Sequence, residues 1–247
     1  MLVCHPCLRI VRDPPKPPSM DLPPPPLHPE LPPEVRIAGE EELFFRTEDG
    51  ITIEGLGYLP AGAGRAAVLC HPHPLYGGTM HNAIVVVVAK RLLELGQGKV
   101  GWLRLNYRGV GRSEGSYGAG KIESLDVTAA LAEVRRRAPG TRLSLVGYSF
   151  GAGVGYRAAV KDGGVDNVAL VAPSPRMMHG DLGEFAGPTQ IVAASRDQFC
   201  TPDETAELAR RLGASVRAID GADHYFVRFR REVARIVVSF IAPDLSP

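Results

Sequence analysis

The pentapeptide Gly147-Tyr148-Ser149-Phe150-Gly151 constrains the fold of this 247-residue chain more than any other feature. It follows the apolar run 143–146 and precedes a stretch of small residues, 152–159, that is compatible with a helix. The pattern predicts a strand, a very tight turn and a helix, with a serine at the apex. Glycines two residues before and after the serine allow the strand and the helix to approach closely, while the serine takes strained backbone angles. Such a turn exposes Oγ at the carboxyl end of a sheet as a candidate nucleophile.

A nucleophilic serine needs a base, and the base needs an acid that orients it. Asp197 stands just past the apolar strand candidate 190–195, and His224 follows the strand candidate 214–219. Ser149, Asp197 and His224 therefore each lie just beyond the carboxyl end of a predicted strand. An open, mostly parallel sheet gathers its functional groups at that edge.

This order resembles that of the α/β-hydrolases, and in particular the compact bacterial-type group with a histidine-proline oxyanion loop. Three further segments carry the resemblance: 68–82 matches the loop after the third strand, 106–115 the loop after the fourth, and 195–202 the acid loop. The resemblance covers residues 43–242 in the family's order. It implies a serine hydrolase fold, whereas the substrate stays open because this fold hosts many unrelated chemistries.

Attack on an acyl carbon places negative charge on the carbonyl oxygen, and preorganised amide N–H groups must stabilise that charge. One expected donor is the amide of Phe150, next to the nucleophile. The family pattern places the second donor at the residue after the His71-Pro72 pair, which is His73. Pro72 and Pro74 have no N–H to donate, so Leu75 is the alternative second donor.

The same loops contain two patterns that resemble other kinds of binding site. His71 and His73 form a candidate metal pair, but no carboxylate and no thiol other than Cys70 stands near them in sequence. The glycines of the segment 109–115 resemble a dinucleotide loop, although the third glycine falls one residue late and no acidic residue caps the strand that follows. We therefore interpret that segment as a structural loop and expect no metal and no cofactor.

The acid and the base also have alternatives. Asp220 and Asp223 compete with Asp197, since both lie close to His224 in sequence. The family pattern favours Asp197, because neighbours in sequence do not necessarily bring their side chains together. His224 itself is expected to open the last amphipathic helix, where capping is the alternative role.

The fold class predicted is α/β, with a doubly wound, mostly parallel sheet of eight strands and no cap domain. Strands 43–47 and 52–59 flank Asp49-Gly50, a hairpin signal. The remaining predicted strands are 66–71, 100–106, 142–148, 166–172, 189–195 and 214–219, and the predicted helices are 81–96, 121–138, 150–162, 203–212 and 224–242. Only residues 173–188 separate the sixth and seventh strands, too few for a lid domain.

Residues 1–33 hold twelve of the 22 prolines and few apolar residues. They are predicted to form a disordered, polyproline-like tail before a catalytic domain at 34–247, with a proline-rich docking peptide as the alternative. Met20 would start a shorter, otherwise complete chain.

Composition excludes several partners. The formal net charge of +1 gives no electrostatic case for nucleic acid. The longest apolar stretch, 83–89, is far shorter than the roughly 20 residues of a membrane helix. Since the amino terminus lacks a basic n-region and a long apolar region, we expect a cytoplasmic protein.

Together these patterns predict a carboxylesterase-like serine hydrolase whose partner is a small-molecule acyl substrate and whose oligomeric state stays open. The alternatives are a peptidase or dienelactone-type hydrolase of the same fold, and a catalytically silent binding protein. The dienelactone-type group usually carries cysteine where this chain has Ser149.

Overall fold

An eight-stranded sheet organises the protein, whose computed structural model describes residues 34–178 and 180–245. The strands in chain order are β1 Glu41–Arg46, β2 Thr52–Tyr58, β3 Arg65–Cys70, β4 Val100–Leu105, β5 Arg142–Tyr148, β6 Asn167–Val171, β7 Thr189–Ala194 and β8 Ser215–Ile219. The α-helices of the described ranges are α1 Ala83–Gly96, α2 Glu123–Arg137, α3 Phe150–Asp162, α4 Pro202–Leu212 and α5 Arg230–Ile241. The predicted tail at 1–33 lies outside the described residues.

The strands stand in the order β1-β2-β4-β3-β5-β6-β7-β8. The pairs β1–β2 and β2–β4 are antiparallel, and all later pairs are parallel. This confirms the predicted doubly wound, mostly parallel sheet. Because parallel neighbours end at one edge, the loops after β3 to β8 gather there.

Helices cover both faces of the sheet. Successive residues of a strand point to opposite faces, so Leu145 packs in the core beneath α2, α3 and α4, while Val146 packs in the core beneath α1 and α5. Burial on both faces explains why the central strands read as unbroken apolar runs rather than as alternating ones. In the described ranges no helix combines the length and the apolar content needed to cross a membrane.

The last helix begins later than the sequence pattern predicted. Residues 224–229 form turns, and α5 starts at Arg230 rather than at His224. The Oδ1 of Asp223 accepts the N–H groups of Tyr225 and Phe226, and Phe226 has a positive φ of 49°. Positive φ interrupts a right-handed helix, so His224 lies on a loop and does not open the helix.

No cap domain stands between β6 and β7. The described residues of that connection, 172–178 and 180–188, contain turns and loops but no helix. The edge that carries the carboxyl ends of the strands is therefore open on this side, as the short connection predicted.

Candidate active site

Ser149 occupies a strained turn between β5 and α3. Its backbone angles, φ 54° and ψ −110°, belong to a region that residues with a side chain rarely adopt. A Cβ on Gly147 would lie 2.3 Å from the carbonyl oxygen of Gly151, and a Cβ on Gly151 would lie 2.5 Å from the carbonyl oxygen of His71. Both approaches are too close for any side chain, so the two glycines permit the turn that presents the serine.

The structure brings the side chains of Ser149, Asp197 and His224 together. His224 Nε2 lies 3.0 Å from Ser149 Oγ, and His224 Nδ1 lies 2.8 Å from Asp197 Oδ2 and 3.1 Å from Oδ1. The side chains of His224 and Asp197 are buried. A carboxylate can only accept a hydrogen bond, so Nδ1 of the imidazole must be the donor to Asp197. In its neutral form the imidazole therefore carries its proton on Nδ1, and Nε2 is free to take the proton of the Ser149 hydroxyl.

Backbone amides fix the orientation of the Asp197 carboxylate. Its Oδ1 accepts the N–H of Phe199 at 2.8 Å and that of Cys200 at 3.2 Å. The loop then enters α4 through a capping box in which Thr201 and Glu204 bind each other's backbone N–H groups. The acid is thus held by a short, anchored loop rather than by a flexible one.

The two alternative acids have other partners. Asp223 caps the turn that follows it, and Asp220 Oδ1 lies 3.2 Å from Ser195 Oγ. The imidazole of His224 contacts neither of them at hydrogen-bond distance. Geometry therefore places Asp197 against the histidine.

His71 ties the loop after β3 to the end of β4. Its Nε2 accepts the N–H of Tyr107 at 3.2 Å, so the ring proton is on Nδ1, 2.6 Å from the carbonyl oxygen of Pro72. Burial, assisted by the neighbouring His73 and partly opposed by the hydrogen bond to Pro72, lowers the pKa of His71 to about 3. The residue is therefore a neutral, internal anchor of this loop.

His73 makes a second fixed contact in the same loop. Its Nδ1 accepts the N–H of Leu75 at 3.2 Å, which puts the ring proton on Nε2, 3.0 Å from the hydroxyl oxygen of Tyr117. Burial lowers the pKa of His73 to about 4. The alternative donor Leu75 is consequently engaged within the loop.

The N–H groups of Phe150 and His73 have no acceptor among residues 34–178 and 180–245. Phe150 is the first residue of α3, where an N–H has no partner within the helix. Both predicted oxyanion donors are thus available for an outside acceptor, whereas Leu75 is not.

The loop after β4 binds two of the protein's own carboxylates through its backbone N–H groups. The N–H of Arg108 donates to Asp126 Oδ2 at 2.9 Å, and the N–H of Arg112 donates to Glu54 Oε2 at 2.8 Å. The Arg108 guanidinium also binds Asp126 and Asp49, and this arginine holds the pKa of Asp49 down at about 2. The segment is a structural loop, as the sequence suggested.

Metal binding has little to support it in the described part of the chain. Both nitrogens of His71 and both nitrogens of His73 are already engaged in hydrogen bonds. Among residues 34–178 and 180–245, no group of three or more His, Cys, Asp or Glu side chains is arranged to hold an ion.

Sequence reasoning missed the aromatic side chains that surround the site. Phe199 and Tyr225 contact the imidazole of His224, and Tyr117 contacts His73. Phe199 and Tyr225 each stand within two residues of a predicted triad member, and that proximity was an available signal. Tyr117 carries no local signal, because it reaches the site only through the fold of a long loop.

The sequence profile of the dienelactone hydrolase family matches residues 119–238, a range that includes Ser149, Asp197 and His224. An uncharacterized protein of Rickettsia prowazekii is 30% identical over 205 residues, which are 77% of this chain and 84% of that protein.

Two solved structures share the fold of this chain. A serine hydrolase homologue from Coxiella burnetii is 29% identical, with a TM-score of 0.74, over 84% of this chain and 100% of that one. A serine hydrolase without a lid from Xanthomonas campestris is 26% identical, with a TM-score of 0.71, over 85% of this chain and 98% of that one. These likenesses support an enzyme of the hydrolase type. The chain belongs to the α/β-hydrolase superfamily.

Proposed function

We propose that the protein is a serine hydrolase that cleaves small carboxylic esters or thioesters through an acyl-enzyme on Ser149. The observation that carries the proposal is the 3.0 Å contact between Ser149 Oγ and His224 Nε2, on an imidazole whose other nitrogen lies 2.8 Å from Asp197. A base that is oriented by a buried acid and placed on a strained, half-buried serine is the arrangement needed to activate a hydroxyl.

In this mechanism Ser149 Oγ attacks the acyl carbon while His224 Nε2 takes its proton. Asp197 stabilises the imidazolium, and the amides of Phe150 and His73 stabilise the oxyanion. His224 then returns the proton to the leaving group as its bond to the acyl carbon breaks. A water molecule that His224 deprotonates attacks the acyl carbon. The bond from this carbon to Ser149 Oγ then breaks, and His224 returns the proton to Oγ as the acid is released. Each step balances without a cofactor.

A second candidate is a dienelactone-type activity on cyclic esters, which the match of residues 119–238 to that family favours. Ring opening uses the same residues, but the alcohol stays attached to the acyl group after the first step. Parallel assays of a linear ester and an unsaturated five-membered lactone distinguish the two. A kcat/KM for the lactone far above that for the linear ester would replace the first candidate.

A fluorophosphonate probe tests the proposed nucleophile. We expect covalent labelling of the wild type at Ser149, and loss of both labelling and p-nitrophenyl ester turnover in Ser149→Ala. Ser124→Ala, on α2, is the matched control and should keep both. An unlabelled wild type would favour a silent binding protein, and substantial turnover by Ser149→Ala would refute the assignment.

A further inference from the structure

Exposed apolar side chains concentrate at the edge of the sheet that carries Ser149. The large hydrophobic residues exposed in the described ranges number eight, and two of them, Phe44 on β1 and Val216 on β8, lie away from this edge. The other six stand on the loops that follow β3, β4, β7 and β8: Leu75, Tyr76, Ile122, Phe199, Tyr225 and Val227. Clusters of exposed apolar side chains of this kind mark binding surfaces.

Two of these rings lie directly against the predicted base. The Phe199 ring centroid is 4.8 Å from that of His224, and the Tyr225 centroid is 5.7 Å away, both at edge-on angles. The two rings lie 6.4 Å from each other and are themselves nearly perpendicular. Phe199 is 44% exposed and Tyr225 is 53% exposed, so each ring contacts the imidazole and still offers surface to the outside.

The reaction determines which part of a substrate meets these rings. His224 Nε2 must reach the leaving atom in order to protonate it. The oxyanion, in contrast, must lie near the loop of His73, on the side of Phe150. The leaving group is therefore the part of the substrate that passes Phe199 and Tyr225.

We propose that Phe199 and Tyr225 form a subsite for an aromatic leaving group, so that esters of small acids with benzyl-type alcohols are preferred substrates. This inference rests on the proposed function. Two mutually perpendicular rings offer both a face and an edge to a third ring. An aromatic leaving group can pack on them in an offset or edge-to-face arrangement, and it should therefore bind more tightly than a saturated group of equal size. In the reaction the bond from Ser149 Oγ to the acyl carbon forms, the bond to the benzylic oxygen breaks, and His224 protonates that oxygen to release the alcohol.

A pair of substrates that differ only in aromaticity tests the subsite. Benzyl acetate and cyclohexylmethyl acetate have leaving groups of similar size, and their hydrolysis is followed by acid release at constant pH. We expect kcat/KM of the wild type to favour the benzyl ester. Phe199→Leu and Tyr225→Leu keep an apolar side chain but remove the ring, so each should lower this preference about threefold to tenfold, the contribution of one aromatic pair. Phe44→Leu, an exposed phenylalanine far from the site, should leave the preference unchanged.

A purely shielding role of the rings predicts a different result. If Phe199 and Tyr225 only keep water from His224, their replacement lowers kcat/KM for both esters equally, and an unchanged preference would overturn the proposal.

Binding to Ser149→Ala separates the subsite from the esterase activity. In that background NMR titration compares benzyl alcohol with cyclohexylmethanol, with and without Phe199→Leu. Tighter binding of benzyl alcohol that Phe199→Leu removes would support the subsite even if the wild type hydrolysed neither ester, in which case only the proposed function would fail. Equal binding of the two alcohols would refute the subsite.

Discussion

The hydroxyl of Tyr148 donates a hydrogen bond of 2.9 Å to the backbone carbonyl of His224. Tyr148 is the last residue of β5 and immediately precedes Ser149, whereas His224 lies on the loop after β8. Both residues are buried, and the tyrosine ring also lies 5.7 Å from the imidazole. One side chain therefore connects the turn that presents the serine with the loop that presents the base.

Tyr148→Phe should lower kcat and leave KM nearly unchanged. The ring stays in place, but the carbonyl of His224 loses its donor and the loop is free to shift. A displacement of about 1 Å at the base costs up to roughly a hundredfold in rate, so we expect a loss of about tenfold or more. Steady-state kinetics well below the unfolding temperature measures the effect.

Tyr156→Phe is the matched control for this positioning role. Tyr156 is equally buried, but its hydroxyl binds the backbone of Phe185, away from the catalytic loops. Both variants should lose stability on the scale of about 1 kcal/mol for a missing hydrogen bond. Equal kcat values for the two variants would reduce Tyr148 to a structural residue.

Much of this site could be predicted from sequence because its determinants are local. The strand, the glycine pair and the serine of the turn lie within the ten residues 142–151, and Asp197 follows closely after its strand. The position of His224 on a loop could not be predicted in this way. The amphipathic pattern of α5 extends back to His224, and only the capping contact of Asp223 and the positive φ of Phe226 stop the helix short of it.

Two contacts that tie the loops of the site to other parts of the fold are non-local and leave no pattern in the chain. The bond between His71 and Tyr107 joins residues 36 positions apart, and that between Tyr148 and His224 joins residues 76 positions apart. Their existence depends on strand order in the sheet, which sets which loops become neighbours. The reacting groups can be identified from the sequence, whereas the hydrogen bonds that fix their loops can be identified only from the three-dimensional fold.

Asp197→Asn should lower kcat by orders of magnitude, whereas Asp223→Asn should have a mild effect. An amide in place of the Asp197 carboxylate can present N–H to the imidazole and stabilise the wrong tautomer, a change that costs roughly 10⁴ in other triads. Asn at 223 retains an oxygen that can cap the turn. Kinetics of both variants provide the test, and the reverse ranking would move the acid to Asp223.

Ser149→Gly should be more stable than Ser149→Ala. The backbone at 149 has φ 54° and ψ −110°, which strains any residue with a Cβ by about 1–3 kcal/mol. Glycine avoids this strain, although its greater freedom in the unfolded chain offsets about 0.5–1 kcal/mol of the gain. Urea unfolding of the two inactive variants should differ by about 1 kcal/mol. Equal free energies of unfolding would show that the strain at residue 149 is no larger than this offset of about 0.5–1 kcal/mol.

Acid should destabilise the protein through His71 and His73, the two histidines of the loop after β3. An unfolded histidine takes up a proton near pH 6.5, whereas the folded protein resists protonation of His73 until about pH 4 and of His71 until about pH 3. Between these values the unfolded chain binds more protons, so the free energy of unfolding falls as the pH falls.

His73→Asn isolates the share of this effect that belongs to His73. The Oδ1 of asparagine can replace Nδ1 as the acceptor for the N–H of Leu75, but it does not titrate. The variant should therefore lose less stability than the wild type between pH 6.5 and pH 4.5, as measured by urea unfolding at each pH. The same loss in both proteins would contradict the lowered pKa of His73.

The open connection between β6 and β7 predicts a preference for short acyl chains. Each methylene of the acyl chain that is buried in a tunnel would contribute about 0.8 kcal/mol, or roughly fourfold in kcat/KM. In an enzyme with a long acyl tunnel, kcat/KM should therefore rise with each added methylene until the chain fills the tunnel. The described residues of 173–188 form no helix or domain that could enclose such a tunnel. Across p-nitrophenyl esters from C2 to C16 we expect kcat/KM to stop rising at roughly four to six acyl carbons, without activation at an oil–water interface. A maximum at C12 or longer would mean that a segment of the chain covers the site during catalysis, and the uncapped interpretation would then be wrong.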